Sequence, residues 1–135
     1  MSFSKEYGTP LPFIDHLGIE RVQNSEGRAL LALQIKPEHR NSWQAAHGGV
    51  IMTMLDIAMS LAARLHLHSA PGGLLTVEMN AKFISPGMGG RLTAEGKVIG
   101  SGRSTLFCEA EVRDEAGKLV AKGMGTLKPV RKKDA

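Results

Sequence analysis

From Val50 to Leu65 nearly every position is Val, Ile, Met, Leu or Ala, and neither Pro nor Gly interrupts the run. Such a stretch predicts a buried helix of about four turns. Its length and polar flanks read as too short for a membrane span. Thr53, Asp56, Ser60 and Arg64 break the run at spacings of three and four, which places them on one narrow stripe of the helix. Elsewhere the period is two. Ile19 to Gln23 and Arg28 to Ile35 predict strands about the turn Asn24-Ser25-Glu26-Gly27, and Ala29, Leu31, Leu33 and Ile35 alternate in the second. After Pro71-Gly72-Gly73, Leu74 to Ile84 predicts a long strand, with Leu75, Val77, Met79, Ala81 and Phe83 on one face and Thr76, Glu78, Asn80 and Lys82 on the other. Arg91 to Ile99 and Thr105 to Arg113 predict a hairpin about Gly100-Ser101-Gly102-Arg103. Asp114-Glu115-Ala116-Gly117 then turns into a last strand, Lys118 to Lys128.

Residues 1–12 carry Pro10 and Pro12 and predict a loose arm. Phe13 to Leu17 predicts one helical turn stopped by Gly18, Pro37 to Ala46 a polar connection with a short helix after Pro37, and 129–135 a basic tail. The order β-β-α-β-β-β-β predicts an α+β domain spanning 1–135, in which a curved antiparallel sheet of about six strands wraps one long helix. Such a sheet has edges, and self-association is the usual way to cover them.

Composition changes this picture little. With 135 residues, 42% of them hydrophobic, the chain suffices for one core and leaves little for a second. The net charge of +4 owes much to the terminal Arg131-Lys132-Lys133 cluster, and 4% aromatic residues give no stacking platform, which argues against a nucleic-acid partner. The same positive balance suits a phosphate-bearing ligand. Cys108 is the sole cysteine, so no intrachain disulfide is available; with no apolar signal segment, a cytoplasmic setting is the expectation.

Candidate chemistry clusters around the long helix. His47-Gly48-Gly49 precedes it, and two glycines are poor helix starters. They permit either a close approach of ligand to the free N–H groups of the first turn, which would make an anion or oxyanion site, or simply a tight turn. Asp56, a carboxylate within an apolar run, is either wetted on the polar stripe or held for chemistry. His39, His47, His66 and His68 lack zinc-site spacing, so no metal is expected. Ser60 has no helical His to activate it, and Cys108 reads as core.

Asn41 stands six residues before His47, and Asp56 nine after it. Together with His47-Gly48-Gly49 and the strand pattern, these residues resemble the signature of hotdog-fold acyl-CoA thioesterases of the phenylacetate-degradation type, over roughly residues 13 to 128. The resemblance implies a hotdog fold and hydrolysis of a fatty or aryl acyl-CoA, without a cofactor because CoA is part of the substrate. Asp56 would then be general base or nucleophile, Gly48 N–H the oxyanion donor, Asn41 an orienter of substrate or water, His47 a brace for the loop, and Thr76 a holder of the attacking water. Arg91 and Arg103 are candidates for the CoA phosphates, with solvated turn charges as the alternative. The resemblance also implies a homodimer with a continuous sheet, often doubled to a tetramer. Eight residues of helix separate Gly48 from Asp56 by about 12 Å, so one chain cannot bring both to one carbonyl, whereas two opposed helices could. The rival readings are a non-catalytic acyl-CoA-binding or regulatory hotdog domain, and a hotdog dehydratase or hydratase, whose paired His and acid are not found in this pattern.

Overall fold

The computed structural model describes residues 3, 10–25, 27–68, 70 and 72–130. A short helix α1, Pro12–Leu17, has Pro at its first position and stops at Gly18, whose φ of 86° lets its N–H return to the carbonyls of Ile14 and Asp15. Strands β1 (Glu20–Ser25) and β2 (Arg28–Gln34) follow, then a single 3-10 turn, Pro37–His39, and the long helix α2, Gly48–Leu67. The chain ends with β3 (Leu74–Phe83), β4 (Arg91–Ser101), β5 (Leu106–Arg113) and β6 (Leu119–Pro129). The β1–β2 turn is tighter than expected, because Ser25 already pairs with Arg28. Of the expected N-terminal arm, Phe3 lies in the core at 1% exposure; residues 1, 2 and 4–9, and 131–135 of the basic tail, lie outside the described residues.

The six strands form one antiparallel sheet in the order β1-β2-β4-β5-β6-β3. β4, β5 and β6 are a meander, β2 joins it across α2, and β3 pairs with β6 rather than with its neighbour in sequence. β1 and β3 are therefore the edges. α2 lies across the concave face and buries Ile51, Met54, Leu55, Ala58, Met59, Leu61, Ala62 and Ala63 against strand residues that include Leu31, Leu33, Leu92, Ala94, Cys108, Val112 and Leu127. Each large side chain buried there contributes about 1.5–3 kcal/mol. At 20 residues α2 is longer than the sequence pattern suggested, and by length and composition it could cross a membrane, contrary to the expectation of a helix too short to do so. Its role in this fold is to fill the sheet's concave face. Thr53, Asp56, Ser60 and Arg64 occupy the less buried side, as their spacing predicts.

β3 departs from its predicted faces. A bulge sits between Thr76, opposite Leu127, and Glu78, opposite Thr126, so Val77 is the extra residue. One inserted residue reverses the alternation. Leu74, Met79 and Ala81 pack on the core, Thr76 turns towards α2 with them, and Leu75 and Val77 are left 60% and 59% exposed. The expected grouping of Thr76 with Glu78 and Asn80 is thereby corrected.

Candidate active site

The N-terminal end of α2 is built by the loop before it. His39, only 2% exposed, accepts the Lys36 N–H on Nδ1 at 2.9 Å, and its carbonyl accepts the His47 N–H at 2.8 Å. Arg40 bridges to Ala46, closing the intervening residues into a small hairpin. Within it Asn41 Oδ1 accepts from the N–H groups of Trp43, at 2.9 Å, and Ala45, at 3.2 Å, an Asx turn typical of this side chain. His47 is the N-cap, its Nδ1 accepting the Gly49 N–H at 2.8 Å. A Cβ on Gly49 would lie 3.1 Å from that nitrogen, so the cap itself accounts for the second glycine.

Gly48 has no such explanation. It is the first residue of the helix, and a Cβ there would meet only the Phe83 ring, at an ordinary 3.7 Å. Among the described residues its N–H has no protein acceptor. Gly48 lines a cleft of ≈ 400 Å³ with Asn41, Trp43, Ile51, Phe83 and Pro86 among its walls. An unpaired donor at the positive end of a 20-residue helix, opening into an apolar cleft, is suited to an oxygen that gains negative charge.

Asp56 is outside that cleft. Half-buried on α2, it accepts on Oδ1 the hydroxyl proton of Thr76 at 2.5 Å, the contact that the β3 bulge makes possible. The Thr76 hydrogen is thus directed at the carboxylate, which leaves the hydroxyl oxygen as an acceptor. The structure therefore brings the sequence-predicted residues together in two groups: Asn41 with Gly48 in the cleft, and Asp56 with Thr76 beside β3. His47 supports the first group from an exposed position. Arg91, opposite Gln34 at the start of β4, and Arg103, in the β4–β5 turn, line neither. Cys108 is fully buried, and its burial pushes the thiol up to about 11, as expected of a core side chain. Among the described residues no group of three or more His, Cys, Asp or Glu could hold a metal ion. Sequence reasoning overlooked Trp43 and the cleft face of Phe83. The available signal was an isolated tryptophan two residues after Asn41 in an otherwise polar connection.

The sequence model of the thioesterase superfamily matches residues 44–121, more than half of the chain and the whole of α2. The chain belongs to that superfamily. It is 34% identical to a protein of Saccharolobus solfataricus over 87% of this chain and 82% of that one. To the acyl-coenzyme A thioesterase PaaI of Escherichia coli it is 28% identical over 78% of this chain and 73% of the other. A protein of Bacillus halodurans crystallised with CoA superposes with a TM-score of 0.84 at 28% identity, covering 95% of this chain and 84% of that one. The fold is the hotdog arrangement, and the chain is a thioester hydrolase.

Proposed function

We propose that this thioesterase is a cytoplasmic acyl-CoA hydrolase that releases CoA and a fatty or aryl carboxylic acid, with each active site shared between two chains. The observation that carries the reading is the division of the site: an unpaired Gly48 N–H in the cleft, and an Asp56 carboxylate held by Thr76 outside it. In this reading Asp56 accepts a proton from water as the water oxygen attacks the thioester carbonyl carbon. The carbonyl oxygen becomes an oxyanion against Gly48 N–H, collapse breaks the C–S bond, and the departing thiolate takes the proton from Asp56. Direct attack by the carboxylate, giving a mixed anhydride that water then hydrolyses, uses the same groups; trapping with hydroxylamine distinguishes the two routes.

Two features support a second copy as the missing half. Gly48 and Asp56 lie about 12 Å apart along one helix axis. β3 is an edge strand bearing exposed Leu75 and Val77 next to Thr76, a surface suited to pairing with its own symmetry mate. A dimer paired on β3 would extend the sheet and set two α2 helices side by side, and a further pairing would make the tetramer.

The test is a hydrolysis screen over short, long and aryl acyl-CoAs, read as free CoA. Tight CoA binding with no turnover of any of them would favour a binding domain instead. Sharing of the site is tested by mixing. Asp56→Asn and Asn41→Ala are each expected to be nearly inactive alone; refolded together in equal amounts, about half of the dimers should be mixed, each with one intact site, so roughly a quarter of wild-type activity should return. Mixed dimers that stay as inactive as their parents would place each site within a single chain.

A further inference from the structure

Trp43 is the most exposed large apolar side chain of the described residues, at 83%, on a backbone that is firmly held. Its backbone N–H donates to Asn41 Oδ1 at 2.9 Å. The next residue, Gln44, is fixed in the left-handed region at φ 62°, with its N–H on the Asn41 carbonyl at 3.0 Å and its own carbonyl on the Arg40 guanidinium at 2.8 Å. A non-glycine residue in that conformation carries a local cost, and the loop sustains it while presenting an indole at the cleft. The cleft is also lined by Ile51, Phe83, Ile84 and Pro86.

Most polar side-chain atoms of the cleft are already engaged within the protein. Asn41 Oδ1 accepts two backbone N–H groups, and Ser85 Oγ donates to the Leu119 carbonyl at 2.7 Å. What remains are two donors, Asn41 Nδ2 and Gly48 N–H. That is enough for one carbonyl oxygen, whereas for the two amides of a pantetheine arm these cleft side chains leave one acceptor, the Ser85 hydroxyl oxygen. The larger side chains of the cleft's remaining walls are hydrocarbon or aromatic. Chemistry of this kind recognises the acyl part of the substrate.

Resting on the hydrolase reading above, we propose that Trp43 is a specificity-determining residue: its indole covers the acyl group in the Gly48 cleft and sets the preference for acyl groups long or bulky enough to reach it. A two-carbon acyl group stops short of the ring; a longer alkyl or an aryl group is buried against it, with Phe83 as a second aromatic wall. The Asn41 side chain acts here as a positioning group, holding the loop that carries the indole.

Trp43 is the only tryptophan of the chain, so its emission reports the cleft directly. The probes are thioether analogues that cannot be hydrolysed, ethyl-CoA and decyl-CoA, beside free CoA, titrated into the wild-type protein. Decyl-CoA is expected to shift the emission to shorter wavelength, and CoA and ethyl-CoA to leave it in place. In parallel, Trp43→Ala should lower the ratio of kcat/KM for decanoyl-CoA to that for acetyl-CoA by about tenfold or more, with Trp43→Phe between the two. Equal shifts with all three probes, no shift with decyl-CoA, or an unchanged ratio would overturn the assignment. A shift with decyl-CoA alone in a protein that hydrolyses no acyl-CoA would leave Trp43 on the acyl group and refute the hydrolase reading; normal hydrolysis without the shift would do the reverse.

Discussion

Two glycines meet the same helix and stand there for opposite reasons. Gly96, in mid-β4, lies so close to α2 that an added Cβ would fall 2.3 Å from the Ala58 carbonyl oxygen, whereas one on Gly48 would find ordinary contact distances. The middle of α2 is a packing region, where strand and helix backbones nearly touch and only hydrogen fits. Its N-terminal end leaves room that the protein does not fill and a donor that the protein does not use. A glycine without a steric reason, at the end of a helix and in a cleft, indicates a ligand; one with a steric reason indicates a core.

The contrast can be attacked from both ends. The largest effect is expected where chemistry alone is at stake: Asp56→Asn should lower kcat by about 10²-fold to 10⁴-fold while the thermal midpoint stays close to wild type. An equal loss of stability and activity would move Asp56 into the structural region. Next is Gly96→Ala, which must push helix from sheet and should cost about 2–4 kcal/mol, seen as a fall of roughly 10 °C in the thermal midpoint. A midpoint within a degree or two of wild type would show that the two regions do not differ in packing. Gly48→Ala should do the reverse, keeping stability within about 0.5 kcal/mol while reducing kcat/KM about 10-fold to 10²-fold by displacing the carbonyl.

The smallest effect concerns the sealed middle of the sheet. Burial raises the Cys108 thiol to about 11, above its value in the unfolded chain, so the folded form keeps its proton where the unfolded form loses it. Stability from this source is therefore present below about pH 9 and is lost between about pH 9 and 11, by about 1–2 kcal/mol. Urea titrations across that range should show a shallower alkaline decline in Cys108→Ala than in wild type.

The helix, the strands and their approximate ends were legible because each is a local pattern: an unbroken apolar run, alternation, turns at Gly and Pro. Sheet order was not, since β3 could as well have joined β4 as β6, and nothing within β3 records its partner. Nor was its bulge. Alternation predicts faces only while each residue opposes one partner, and Val77 breaks that count, which is why Thr76 is found beside Asp56. Among the site residues, Asn41, Gly48 and Asp56 could be named from spacing. The Asn41 oxygen turned out to brace the loop, and Trp43 went unnoticed because its significance depends on β3 and Pro86 arriving from elsewhere to complete the cleft. Gly96 is equally silent in sequence; its close approach exists only once α2 lies on β4.

The strand order also gives the fold a timetable. β4, β5 and β6 are joined by short turns and can find one another quickly, but β2 reaches β4, and β3 reaches β6, only across long stretches of chain. Distant pairings close late in folding, after the entropy of a large loop has been surrendered. Thr76 arrives with β3, and the Phe83 wall of the cleft arrives with it. During refolding, the helical signal should therefore recover before hydrolysis does, and catalysis becomes the clock that records when the last edge strand has docked.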